Sequence, residues 1–285
     1  MQYLKKQIQQ DIQKAIFEDL HTNDGSGDIT AQLIPVEQNS TATLINRENM
    51  ILCGSQWFIA VFKAIDANIE IKFNFKDGDL IAANNVICNI SGNTRSILSA
   101  ERAALNFLQT LSATSTVTRK FIDALDNKNI TILDTRKTIP GLRIAQKYAA
   151  KIGGAKNHRI GLYDAYLIKE NHIIACGSIT NAINMANKFN PNIPVEVEVE
   201  SLDELKEALE TNCAQILLDN FNLEKIQLAV NIRNSKPEYK NTKLEVSGNV
   251  DLHNINNYKN CGADYISIGS LTKNIQAIDL SLRLK

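Results

Sequence analysis

The sequence predicts an α/β protein built in two parts, and three observations predict it. The first hundred residues mix helical and strand-like patterns. From Ile130 onward, six short β-branched or apolar strands alternate with helical stretches. Each of those later strands ends in polar or charged residues. Repeated strand–helix units call for a parallel sheet, and their number favours a closed barrel.

Composition narrows the class. The 285 residues allow two domains at about 150 residues each. Lys plus Arg and Asp plus Glu both total 31, so the formal net charge is zero. Non-specific binding to nucleic acid or to a membrane surface needs a standing positive field that this chain lacks. With 44% hydrophobic and 22% charged residues, disorder is excluded as the main state. The longest apolar run, Trp57 to Phe62, falls far short of the ~18 residues of a membrane span. Five cysteines, at 53, 88, 176, 213 and 261, are odd in number and dispersed. They fit neither a disulfide framework nor a zinc site, and read as free thiols in a reducing cytoplasm.

Leu4, Ile8, Ile12, Ile16 and Leu20 recur four apart among charges, which predicts an amphipathic first helix and not a signal peptide. Strand-like runs follow at 41–46, 69–75 and 86–90, with a helix over 55–66 and a tight turn at Asp77-Gly78. Ser99 is the expected N-cap of a helical stretch reaching Leu125, one helix or two in succession, that bridges the domains. The later strands are expected at 130–134, 165–169, 194–200, 215–219, 243–247 and 264–269. Helices are expected at 178–189, 201–210, 222–233 and 251–260, with Ser201 and Glu204 forming a capping box.

A parallel strand buried on both faces should stay apolar to its end. Here the strands run into Asp134-Thr135-Arg136-Lys137, Lys169, the Glu196/Glu198/Glu200 series, Asp219, Ser247-Gly248-Asn249 and Gly269-Ser270. In a barrel these ends converge on one mouth, where active sites sit. From Asp134 to His172 there are eight Lys or Arg and three acids; from Val195 to Asp219 there are eight acids and one Lys. Arg143, Lys147 and Lys151 read as a solvated helix face. Arg136, Lys137, Arg159 and Lys169 instead flank strands. Cations beside carboxylates suit a polyanionic substrate and a divalent metal. The glycine-bearing turns after the last two strands suit phosphate, although either alone reads equally as an ordinary turn.

The segments DTRKTIPGLR (134–143), GGAKNHRIGLYDAYLIKENHI (153–173), VEVEVESLDEL (195–205), LLDNF (217–221) and LEVSGN (244–249) together closely resemble the quinolinate phosphoribosyltransferases. GDIT (27–30) and SAERAALNFLQTLS (99–112) are similar to that family as well. The resemblance runs over nearly the whole chain, in the family's order. It implies a type II phosphoribosyltransferase-like fold: an N-terminal α/β sandwich over 1–112, to which 271–285 returns, and an open or incomplete α/β barrel over 113–270. It also implies a homodimer in which one subunit's sandwich covers its partner's barrel mouth. The implied reaction joins quinolinate to phosphoribosyl pyrophosphate, gives nicotinate mononucleotide, pyrophosphate and carbon dioxide, and requires Mg²⁺.

By motif, Arg136, Arg159 and Lys169 look like the clamp for quinolinate carboxylates and phosphate, with Lys137 and His158 in the same cationic cup. Arg102 resembles the residue that reaches into the neighbouring subunit's site. Glu198 and Asp219 look like the acidic pair near the ribose hydroxyls and the metal, and 247–249 with Ile268, Gly269 and Ser270 like the phosphate cradle. Glu196 and Glu200 share the strand parity of Glu198, so geometry alone does not choose among them; the family spacing selects Glu198. Asn249 replaces the family's second glycine, and Ala113 stands where the family commonly has Gly. His158 and His172 both flank the Lys169 strand, and either can be a structural hydrogen-bonder. Three rival functions use the same residues: a Schiff-base lyase or aldolase with Lys169 as nucleophile, a non-catalytic binder or sensor of phosphorylated metabolites, and a related phosphoribosyltransferase-like enzyme acting on a different base.

Overall fold

The computed structural model describes residues 2–22, 27–211 and 213–285. In chain order the elements are α1 (Gln2–Leu20), β1 (Asn39–Asn46), β2 (Met50–Ile51), α2 (Ser55–Ile65), β3 (Glu70–Phe73), β4 (Leu80–Ile81), β5 (Val86–Asn93) and α3 (Thr94–Leu125). There follow β6 (Thr131–Leu133), α4 (Arg143–Gly153), β7 (Tyr166–Ile168), α5 (Glu170–Cys176), α6 (Ile179–Phe189), β8 (Val195–Val199) and α7 (Leu202–Leu209). The chain ends with β9 (Gln215–Asp219), α8 (Leu223–Asn234), β10 (Lys243–Ser247), β11 (Tyr265–Ser267), α9 (Ser270–Lys273) and β12 (Leu280–Leu284). The class is the α/β expected, and the chain divides into two compact units.

The first unit holds residues 1–119, 138–154 and 271–285. Its sheet runs β12-β1-β5-β3 and is antiparallel throughout. The i, i+4 stripe of α1 is buried as its spacing requires: Ile8, Ile12, Ile16 and Leu20 face the core. Trp57 of α2 is fully buried, and its indole N–H donates to Asp11 Oδ2 at 2.9 Å, so the one polar atom of that ring is satisfied. Asp77 closes the turn before β4. Its carboxylate accepts from the Gly54 and Ser55 N–H groups at the start of α2, at 3.0 and 3.1 Å, and from the Tyr148 hydroxyl at 2.9 Å.

Several expectations are corrected by the structure. Ser99 is not an N-cap: α3 begins at Thr94 and is continuous, and the Ser99 hydroxyl donates to Asp28 Oδ2 at 2.8 Å. Asp28 of the GDIT segment also accepts from the Thr30 and Ala31 N–H groups; part-burial opposes its charge, but these bonds hold its carboxyl below the usual value. Secondly, α4 packs in the first unit and is not a solvated face throughout. Lys147 is buried, and Gln146 bonds both Ile139 N–H and the Thr272 carbonyl at 2.8 Å. A Cβ on Gly153 would stand 2.5 Å from Thr118 Cβ and 2.6 Å from the Ser115 carbonyl, so only glycine lets α4 approach α3 this closely.

The second unit holds residues 120–137 and 155–270. Its sheet is parallel, in the order β6-β11-β10-β9-β8-β7. Among the described residues no ladder joins β6 to β7, so the barrel is open there rather than closed. The segment from Ala155 runs beside β6, bridged at Leu133 and Lys156. Helices α6, α7 and α8 bury Ile183, Leu205 and Ile226 respectively, and each is capped by a side-chain oxygen: Ser178, Ser201 and Asn222 accept from the third N–H beyond them, Ser201 as its sequence predicts. Glu204 completes no reciprocal box, because its carboxylate accepts from Glu200 N–H instead. A further correction concerns 251–260, which forms a short 3-10 turn at Ile255–Tyr258 and no α-helix. Asp251 Oδ1 captures the His253 and Asn254 N–H groups, and Asn254 Oδ1 captures that of Asp251. Such side-chain bonds compete with helical ones.

Candidate active site

The carboxyl ends of the parallel strands open onto a cavity of about 310 Å³ within the second unit. Arg136 and Lys137 come from the loop after β6, Lys169 from the end of β7, Glu198 from β8 and Ser247 from β10, while His158 and Arg159 enter from the segment beside β6. Lys169 and Glu198 form an ion pair through Nζ and Oε2. Gly269 passes close to Lys137: an added Cβ would lie 3.0 Å from Lys137 Cδ.

The carboxylates of β8 separate by depth. Glu196 and Glu198 are two apart and point inward, but only Glu198 reaches the mouth and pairs with Lys169. Glu196 Oε2 lies 3.0 Å from His158 Nε2 inside the barrel. Glu200 is exposed at the strand end, and slight desolvation together with the neighbouring Glu170, Glu204, Asp219 and Glu198 charges raises its carboxyl. Asp219 closes β9 next to β8 and accepts from Asn220 Nδ2 at 2.8 Å. Hard carboxylate oxygens on adjacent strands, in an acidic rim, are a donor set suited to Mg²⁺.

Asp219, Gly248, Asn249, Ile268, Gly269 and Ser270 do not line this cavity, and Arg102 is exposed on α3 in the first unit. Gly248 takes φ 102° and Asn249 φ 52°. Asparagine tolerates the left-handed region, so the turn forms without the second glycine. A Cβ on Gly248 would also lie 2.2 Å from Asn220 Oδ1. Ser270 Oγ is buried and makes no hydrogen bond. His172 serves the chain locally: its Nδ1 accepts from Lys169 N–H at 3.0 Å in the first turn of α5.

Sequence reasoning missed Glu245 and Gln215. Glu245 is fully buried, and its Oε2 lies 3.4 Å from His158 Nε2. Gln215 Nε2 donates to Glu196 Oε1 at 3.0 Å and to Glu245 Oε2 at 2.5 Å. A signal existed: a glutamate inside the apolar run LEV, two residues before Ser247, has the parity of the mouth.

Burial alone would lower His158, but its bonds to Glu196 and Glu245 and their charges push it up to about 10; burial pushes the Glu245 carboxyl up. His158 Nδ1 accepts the Arg159 N–H at 2.7 Å. With Nδ1 accepting, the ring keeps its hydrogen on Nε2 and the group's further proton is shared with the two carboxylates there, for a net charge of −1. Since the folded value lies above the ~6.5 of an unfolded histidine, this proton's contribution to stability is full below that pH and is lost as pH rises through about 10. The unfolding-temperature gap between wild type and His158→Gln is therefore expected to shrink from near-neutral to strongly alkaline pH. A gap constant over that range would refute the assignment.

Residues 28–112 match the N-terminal domain of quinolinate phosphoribosyl transferase and residues 114–283 its C-terminal domain. The chain is similar to the solved nicotinate-nucleotide pyrophosphorylase from Francisella tularensis, at 46% identity and a TM-score of 0.90 over 97% of this chain and 96% of that one. It is 37% identical to the probable carboxylating nicotinate-nucleotide pyrophosphorylase of Bacillus subtilis, over 90% of this chain and 88% of that protein. Against the Mycobacterium leprae enzyme of the same name identity is 35%, over 96% and 95%. With both domain models matched in order and a mouth of clustered cations and carboxylates, the chain belongs to the quinolinate phosphoribosyltransferase family.

Proposed function

We propose that this chain joins quinolinate to phosphoribosyl pyrophosphate, releasing pyrophosphate and carbon dioxide and leaving nicotinate mononucleotide for NAD biosynthesis. The observation that carries the reading is the convergence of Arg136, Lys137, Arg159 and Lys169 on one cavity that also holds Glu198. Planar guanidinium forks suit the two ring carboxylates, and lysine ammonium groups suit phosphate as point charges. Bond breaking at ribose C1 builds positive charge on the sugar and negative charge on the leaving pyrophosphate. Glu198 on the cavity and Asp219 at the neighbouring strand end are assigned to the sugar side, and Lys137 and Lys169 to the departing oxygens. No covalent enzyme intermediate is required. Glu198 and Asp219 are also the residues that would hold Mg²⁺, which when bound supplies further neutralisation of the pyrophosphate charge. Loss of carbon dioxide follows transfer, because only the quaternary ring nitrogen can stabilise the electron pair left on the adjacent carbon. The turns at 247–249 and 268–270 are assigned to phosphate.

Carbon dioxide release from quinolinate that depends on phosphoribosyl pyrophosphate, with nicotinate inert as acceptor, is the expected result. Release without the ribosyl donor, or turnover of nicotinate instead, would overturn the reading.

We further assign a homodimer with a shared site. In support, the cavity is lined wholly by the second unit, and Arg102 of the SAER segment is exposed in the first. Mixing Arg102→Ala with Lys169→Ala subunits should restore activity to about a quarter of wild type, because random exchange places both lesions in one site of each hybrid and leaves the other intact. No recovery despite demonstrated exchange would exclude a shared site. A cytoplasmic location fits five cysteines that form no disulfide and the lack, among the described residues, of a helix long and apolar enough to cross a membrane.

A further inference from the structure

Three neighbouring strands place polar side chains where a barrel is usually filled by hydrocarbon. Glu196 on β8, Gln215 on β9 and Glu245 on β10 form one layer in the interior, closed by His158. Gln215 donates to both carboxylates and so holds them side by side. Both carboxylates then turn one oxygen each to His158 Nε2. Glu245 Oε1 is buried without a hydrogen bond. An ionisable layer of this kind is less stabilising than packed apolar side chains of the same volume, so stability does not account for it.

The layer is the floor of the candidate site. Glu245 borders the mouth cavity, whereas Glu196 and Gln215 border a second cavity of about 250 Å³ at the opposite ends of the strands. His158 and Arg159 border both. The imidazole is coupled directly to its neighbour, because the Arg159 N–H donates to His158 Nδ1 at 2.7 Å. Rotating the ring therefore moves the backbone that carries the Arg159 guanidinium. That guanidinium is also fixed at its far end, where Nη1 donates to the Ala165 carbonyl at 3.2 Å.

We propose that Glu245 and Gln215 are positioning residues for the aromatic dicarboxylate: they lock His158 and, through it, aim Arg159 at the substrate. The negative charge of Glu196 also opposes the mutual repulsion of Arg136 and Arg159, so two guanidinium groups can share one cavity. This inference rests on the reading of that cavity as a quinolinate site.

Two variants move the layer without changing its charge. Glu245→Asp withdraws the carboxylate from His158, and Gln215→Leu removes the donor that holds the two carboxylates together. Each is expected to raise the KM for quinolinate about tenfold, the loss of one charge-assisted hydrogen bond, with kcat and the KM for phosphoribosyl pyrophosphate within about threefold. Glu245→Gln, which keeps an oxygen at the same reach, should retain a quinolinate KM near that of wild type. Unmoved quinolinate KM in both Glu245→Asp and Gln215→Leu, a parallel fall in kcat and both affinities, or failure of both variants to fold would overturn the proposal. Wild-type protein that does not turn over quinolinate would instead sink the underlying reading, and the two failures are told apart by that control.

Discussion

Replacing Lys169 by alanine is expected to lower kcat/KM by about a thousandfold, the scale seen when one preorganised electrostatic group is removed, while leaving the protein folded. The Lys169 side chain is 46% exposed and pairs with Glu198, which is only 13% exposed. Half-exposed pairs contribute about 0–1 kcal/mol to stability, so the unfolding temperature should shift little. The catalytic cost is larger for a specific reason. Without the ammonium, Glu198 faces incoming carboxylates and phosphates with no counter-charge, and attraction becomes repulsion at the same spot. Arginine does not rescue, because a planar fork cannot take the place of a compact point charge at the end of β7. Steady-state kinetics beside thermal melting separate the two effects. Turnover within tenfold of wild type would remove the cationic cup from the mechanism. Borohydride treatment with substrate should leave the protein mass unchanged; an adduct at Lys169 would favour the Schiff-base alternative.

The legibility of this site in the sequence follows from what periodicity can and cannot encode. Strand ends are legible because a buried strand that turns abruptly polar, as ILD does before Thr135-Arg136-Lys137, has little reason to do so except at a functional edge. The helix cap at Ser201 is legible because capping is local chemistry. Depth along a strand is not local. Glu196, Glu198 and Glu200 have one parity, and only the register of β8 against β9 puts Glu198 at the mouth and Glu196 in the interior. The residues 251–260 combine acceptable helical spacing with an Asn-rich sequence, yet their side chains take the backbone N–H groups first. The burial of Lys147 was hidden for a related reason: a basic residue on an amphipathic helix reads as solvent-facing until the partner of the opposite face is known.

Asp134→Ala is expected to weaken both the fold and the site, and the order of the two effects identifies its role. Asp134 is fully buried at the end of β6. Its Oδ1 accepts the His158 N–H at 2.9 Å and its Oδ2 accepts Asn157 Nδ2 at 2.5 Å. One carboxylate thus anchors the segment beside β6 that delivers both His158 and Arg159. Truncation leaves a buried N–H and an amide without their acceptor. The cost is about 3 kcal/mol for bonds to a charged group, or roughly 6–12 °C in unfolding temperature for a domain of this size. Freeing the segment also lets Arg159 drift, and a misplacement of about 1 Å lowers kcat/KM by about a hundredfold. Asp134→Asn keeps one acceptor and should fall between wild type and Asp134→Ala in both measures. Assays run well below the lowered unfolding temperature isolate the second effect. If kcat/KM holds there while the unfolding temperature drops, Asp134 stabilises the barrel without placing Arg159, and the aim of the guanidinium must come from the interior layer alone.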